Sequence, residues 1–210
     1  MIILAKLVKN ATVLLLCPHT VTIDALGFLH RFIARNPQDT SLSLTIAKAC
    51  ILLASKNNEH ERTPRDIVDC FNRIESTCTH QEPTFLDSTS SEYLKQREEI
   101  LECELKIVDS LGFDLRTASP HHLFLKLVKL FQIEDYKDFL QQCWNYLNDS
   151  LLLPESVTVH PSILAISSIK LASQRMKISV PHDICQYLSV DEDAVQSFMR
   201  LHGTLCDQRS

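Results

Sequence analysis

Ile46-Ala-Lys-Ala-Cys-Ile-Leu-Leu-Ala-Ser55 recurs 118 residues later as Leu164-Ala-Ile-Ser-Ser-Ile-Lys-Leu-Ala-Ser173. Ala47, Ile51, Leu53, Ala54 and Ser55 find identical partners at that offset. A second match follows in the same order. Thr63-Pro-Arg-Asp-Ile-Val-Asp-Cys-Phe71 aligns with Val180-Pro-His-Asp-Ile-Cys-Gln-Tyr-Leu188, so Pro64, Asp66 and Ile67 return as Pro181, Asp183 and Ile184. Chance likeness between amphipathic helices is the alternative. Two ordered matches at nearly one offset instead point to a duplicated helical module. The first stretch is apolar nearly all round, which predicts a central, enclosed helix in each copy. Its alanines let neighbouring helices approach closely.

Working outward, the other elements fall into place. One helix runs to about Leu16 and stops before Pro18; a second spans about His19 to Ala34. The third starts near Ser41, with Thr40 or Ser41 as N-cap, and ends around Asn57-Asn58. A fourth begins at Thr63-Pro64, a cap followed by proline at the first helical position. Residues 76–90 read as a surface loop, rich in turn formers and without periodicity. A long helix then runs from about Ser91 to Leu111 with Gly112 as its stop. Its apolar stripe reads Leu94, Leu101, Leu105, Val108 and Leu111. After a short linker, about 114–119, helices are predicted near 120–132, 135–150, 159–175, 181–188 and 191–206. The expectation is an all-α protein of two tandem five-helix repeats, 1–115 and 116–210.

Composition agrees with helices. The chain has 210 residues with only three glycines, Gly27, Gly112 and Gly203, none near another. Phosphate-cradling loops need clustered glycines, so a dinucleotide fingerprint, a P-loop and a kinase glycine loop are excluded. The net charge of −5 argues against a dominant nucleic-acid surface. No apolar run approaches the length of a membrane span. The eight cysteines include no C-x-x-C pair, and several lie inside apolar helical stretches. They read as reduced, buried thiols of a cytosolic or nuclear protein, with no metal site. No nucleophile–base set and no carboxylate pair stands at an informative spacing, so no catalytic residue, cofactor or enzymatic reaction is assigned. His121-His122 sit side by side on a helix and do not share a face. Trp144 reads as a core anchor.

Two charges stand in awkward places. Glu104 lies between Leu101 and Leu105 on the long helix, where an unpaired buried carboxylate is expensive. Lys56 ends the enclosed third helix, and the two could meet at one surface. The bland alternative has Lys56 complementing the helix dipole while Glu104 reaches solvent as an edge residue.

These residues resemble the cyclin family. Ala47 to Glu59 is similar to the third helix of the cyclin box, Glu98 to Leu115 to its fifth, and Leu29-His-Arg-Phe32 to the end of its second. Trp144-Asn-Tyr-Leu-Asn-Asp-Ser-Leu151 and Ser119-Pro-His-His-Leu-Phe124 look most like the transcription and splicing cyclins, the L, K and T group. The resemblance implies two cyclin boxes and a regulatory subunit, not an enzyme, forming a heterodimer with a cyclin-dependent protein kinase. It implies a nuclear location, with the cytoplasm as a second compartment. It also implies that Lys56 and Glu104 contact backbone groups beside the kinase helix that carries a catalytic glutamate, with Glu59 on the same kinase-facing rim. Asn58 stands where the family commonly has an acid, so this rim is expected to be less acidic. The first helix is expected to start late: the docking patch of cell-cycle cyclins falls at or before Met1, and Lys6 takes the place of its tryptophan. General transcription factors also carry paired cyclin-like repeats, so a non-kinase adaptor is the second reading. A helical enzyme with an unrecognised site is the third.

Overall fold

The computed structural model describes residues 1–37, 44–80, 82, 85–180 and 184–207, with side chains given as far as residue 203. No strand occurs among the described residues. Two compact units divide the chain, Met1–Thr117 and Ala118–Ser210.

The first unit holds α1 (Ile2–Leu14), α2 (His19–Arg35), α3 (Leu44–Asn57), α4 (Pro64–Thr79) and α5 (Ser91–Ser110). α3 packs against all four of the others. Ala47, Ala49, Cys50, Ile51, Ala54 and Ser55 on it are fully enclosed. Small residues at that spacing are what allow four neighbours to close around one helix. The predicted N-cap at Thr40 or Ser41 lies outside the described residues.

α4 starts as its sequence dictates. Thr63 Oγ1 accepts from the Asp66 amide at 3.2 Å, and Asp66 Oδ2 accepts from the Thr63 amide at 2.8 Å, a reciprocal capping box. Pro64 occupies the first turn, where its missing N–H costs nothing. The helix runs on to Thr79, so residues 76–79 are helical and not the loop their composition suggested. Ser76, Thr77 and Thr79 turn their hydroxyls back onto carbonyls one turn earlier, which lets turn-forming residues sit inside a helix.

α5 corrects a second expectation. Its core face is Tyr93, Ile100, Cys103, Glu104, Ile107 and Leu111. Of the expected stripe only Leu111 is buried; Leu94 is 49% and Leu105 69% exposed. The true core row lies one residue, or 100° of rotation, away.

The second unit holds α6 (Pro120–Leu130), α7 (Lys137–Ser150), α8 (Pro161–Met176), α9 (Ile184–Tyr187) and α10 (Glu192–Asp207), with a 3-10 turn at Pro154–Val157 that periodicity did not reveal. α8 packs against α6, α7 and α10, with Leu164, Ala165, Ile166, Ile169 and Ala172 buried. The repeat positions Pro181 and Asp183 lie outside the described residues. Trp144 is half-buried, edge-on to His121 at 4.6 Å and to Phe124 at 6.1 Å. His121 is buried with Nε2 at 2.9 Å from Asn148 Oδ1, while His122 is exposed.

The backbone repeats as the sequence does. α3 ends with the His60 amide on the Ser55 carbonyl at 2.9 Å, and α8 with the Ile178 amide on the Ser173 carbonyl at 3.2 Å. The intervening left-handed residues are Glu59 (φ 52°) and Lys177 (φ 56°). These six-residue closures satisfy terminal carbonyls and lie 118 residues apart, the offset of the sequence repeat. α1 and α6 end alike, at Leu16 and Gln132, and α4 and α9 end in left-handed His80 and Ser189.

Of the cysteines, Cys50, Cys70, Cys103, Cys143 and Cys185 are buried thiols. Burial pushes the Cys143 thiol up to about 12 and that of Cys70 up to about 11. Cys78 departs from the expectation of buried thiols: it is exposed at the end of α4.

Candidate partner-binding face

α3 and α5 bring the two awkward charges together. Lys56 Nζ donates to Glu104 Oε2 at 2.7 Å. The pair is lopsided. Glu104 is only 7% exposed, whereas half of the Lys56 side chain is open to solvent. Glu104 is therefore no edge residue reaching water. Its other oxygen, Oε1, is buried and accepts no hydrogen bond. A carboxylate with one lone-pair set committed and the other empty is an acceptor held ready, because a desolvated oxygen gains most from a donor that arrives.

The surroundings are apolar. Leu101, Leu105 and Val108 form a row on α5 at i, i+4 and i+7, next to the row that carries Glu104. Leu94 begins the same row about two turns earlier. Of the stripe read from the sequence, Leu94 and Leu105 are thus exposed and Leu101 and Val108 half-buried. Phe113, just past α5, is 76% exposed. Periodicity detected these side chains without giving their destination. Glu59 follows α3 in the left-handed region with its side chain exposed and no ion pair among the described residues.

The end of α3 is fixed from below by α2. Asp24 is buried, and its Oδ2 accepts from Asn57 Nδ2 at 2.8 Å and from Asn58 Nδ2 at 2.7 Å. Its Oδ1 accepts from the Thr117 hydroxyl. Further along the same face of α2, Arg31 holds the carbonyls of Asp114 at 2.8 Å and Arg116 at 3.2 Å, and Arg35 holds that of Ser110 at 2.5 Å. Gly27 leaves room for Thr117, whose Cγ2 would lie 3.2 Å from a Cβ there. Asp114 bonds Arg116, which holds its carboxyl down to about 2. Sequence reasoning missed Asp24; a lone aspartate amid Thr-Ile-Asp-Ala-Leu in an apolar helix was the available signal.

No cluster of three or more histidine, cysteine or acidic side chains suited to a metal occurs among the described residues. Nor is any helix among them long and apolar enough to cross a membrane.

Residues 2–116 match the family model "Cyclin, N-terminal domain". This chain belongs to the cyclin family. Cyclin-L1 of Homo sapiens is 27% identical over 84% of this cyclin, and Cyclin-L2 of Mus musculus is likewise 27% identical over 84%. The chain spans about one third of the length of those relatives (33% and 34%). Among solved structures, a chain of the yeast RNA Pol II CTD kinase CTDK-1 complex aligns with a TM-score of 0.75 at 22% identity, over 94% of this chain and 62% of that one. These findings place the cyclin in the L, K and T type. Lys56 has no counterpart in the second unit, where exposed Gln174 stands at the equivalent place.

Proposed function

We propose that this cyclin is the regulatory subunit of a cyclin-dependent protein kinase of the transcription or RNA-processing type, working in the nucleus, and that Lys56, Glu104 and Glu59 lie on its kinase-binding rim. The second unit, 116–210 in the repeat reading, is taken as a second cyclin box. The observation that carries the proposal is the buried, unfilled Glu104 Oε1 beside a half-exposed lysine, bordered by exposed leucines on α5. The likeness to Cyclin-L1, and to a chain from a kinase complex, supports the choice of partner.

The chemistry is simple. An ammonium donates to carbonyls, and a carboxylate accepts from amides; such charge-assisted bonds are shorter and stronger than neutral ones. A partner helix end that offers both group types is read by this pair. The apolar row supplies most of the energy, at about 1.5–3 kcal/mol for each large side chain taken out of water. Shifting a kinase from about 1% to 99% in its active arrangement needs about 5.5 kcal/mol of differential binding. Two or three leucines and one pair of charged hydrogen bonds reach that before association costs are subtracted. The regulatory act is then a population shift of the kinase helix whose glutamate pairs with the lysine over ATP.

Affinity purification of the tagged chain followed by mass spectrometry tests this. Wild type is expected to recover a cyclin-dependent kinase and the Lys56→Ala/Glu104→Ala variant to lose it. Recovery of no kinase by wild type, or equal recovery by both, overturns the proposal.

A further inference from the structure

We infer that Asp24 is a positioning residue for partner binding: it locks the end of α3 through Asn57 and Asn58 and so sets the direction in which Lys56 is presented. The inference rests on the reading of Lys56 and Glu104 as partner contacts. Asp24 sits on α2 and is buried, only 7% exposed. Its two oxygens have three donors. Asn57 and Asn58 both give their side-chain N–H to Oδ2, at 2.8 and 2.7 Å, and Thr117 gives its hydroxyl to Oδ1. Asn58 Nδ2 also reaches the Ala54 carbonyl at 2.9 Å, tying the same amide to the last turn of α3.

Lys56 directly precedes the two asparagines, and the chain turns left-handed directly after them at Glu59. A lysine on the final turn of a helix has a frayed backbone unless that turn is held. Here it is held by a buried charge, the stronger kind of hydrogen-bond acceptor. The arrangement explains the asparagines. An acid at position 58 would face Asp24 within hydrogen-bond distance, and two carboxylates there repel. The negative charge of this region lies on the buried floor, at Asp24. The rim beside Lys56 is left neutral at Asn57 and Asn58, and Lys56 has Glu104 as its carboxylate partner.

The test uses the full chain in two measurements. The first needs no partner: amide hydrogen exchange across residues 55–60 in wild type, Asp24→Asn, Asn58→Asp and the exchanged double variant Asp24→Asn/Asn58→Asp. Each single variant is expected to speed exchange there about tenfold, and the double variant, which restores one carboxylate facing one carboxamide, to recover much of the protection. The second is affinity for the recombinant form of the kinase recovered by wild type, with Lys56→Ala/Glu104→Ala as the reference and Ile67→Val as a core variant of lowered stability. The single variants are expected to weaken binding about tenfold and the double variant to rescue it, while Ile67→Val leaves affinity unchanged. Unchanged exchange in the single variants overturns the inference. So does an affinity loss that Ile67→Val reproduces or that the double variant fails to rescue. If Lys56→Ala/Glu104→Ala binds as wild type does, the partner-face reading has failed and the inference with it, whatever the exchange shows.

Discussion

At the scale of single residues, burial separates Glu104 and Asp24 from the other carboxylates among the described residues. Breaking a buried pair by removing one member leaves an uncompensated charge, at about 3–5 kcal/mol when both members are enclosed. Lys56 is half exposed, so solvent screens much of that penalty. Lys56→Met is therefore expected to lower stability by only about 1 kcal/mol, read from thermal or urea unfolding. A loss near 4 kcal/mol would mean that Lys56 is enclosed. Glu104 was legible in the sequence as a charge beside apolar neighbours, and Lys56 as the end of an enclosed helix. The side on which they meet was not legible. α5 carries apolar residues in two adjoining rows, 100/107/111 and 101/105/108, and periodicity fixes the spacing of a row without saying whether the row faces core or solvent. Asp24 was illegible for a different reason: its three donors come from positions 33, 34 and 93 residues away.

At the scale of the element, α5 has one buried face and one largely exposed apolar row. Ile107→Ala removes a fully buried side chain and is expected to cost about 2–5 kcal/mol of stability. Leu105→Ala, on the exposed row, is expected to change stability by less than about 0.5 kcal/mol while weakening kinase binding. Chemical denaturation of both variants beside a binding titration checks the division; a large stability loss from Leu105→Ala would put that row back in the core. Helix ends give a second check. Lys177 closes α8 in the left-handed region, where a Cβ costs about 1 kcal/mol. Lys177→Gly is expected to raise the melting temperature, and a fall would show that α8 ends differently. Starts marked by proline were the most legible boundaries, since Thr63-Pro64, Ser119-Pro120 and Pro161 each open a helix. The end of α4 was not, because Ser76 and Thr77 satisfy their hydroxyls on their own helix instead of leaving it.

At the scale of the whole molecule, the duplicated stretch decided the fold because it marks α3 and α8, the helices that most others touch. An enclosed helix must be apolar and small-sided all round, and that constraint leaves a pattern strong enough to recur visibly. The peripheral helices are constrained on one face only, and their likeness between copies has faded to shared endings. The 3-10 turn at Pro154–Val157 has no counterpart between α2 and α3 among the described residues, so the repeat could not predict it. Thiol chemistry reports on this packing as a unit. Under native conditions iodoacetamide is expected to modify exposed Cys78 first and to leave Cys50 and Cys143 untouched, since burial holds their thiols protonated. Mass mapping of the labelled sites reads this directly, and early labelling of Cys143 would show a looser second unit.

The claim on which the rest depends is that the Lys56–Glu104 face is where a kinase docks. Its most direct test is a titration of the recombinant kinase recovered by wild type with increasing wild-type or Lys56→Ala/Glu104→Ala chain, read as protein-kinase activity. Wild type is predicted to raise activity to a plateau, and the double variant to need at least about tenfold more protein for the same rise. Overlapping curves for the two chains, with both folded by circular dichroism, would contradict the account.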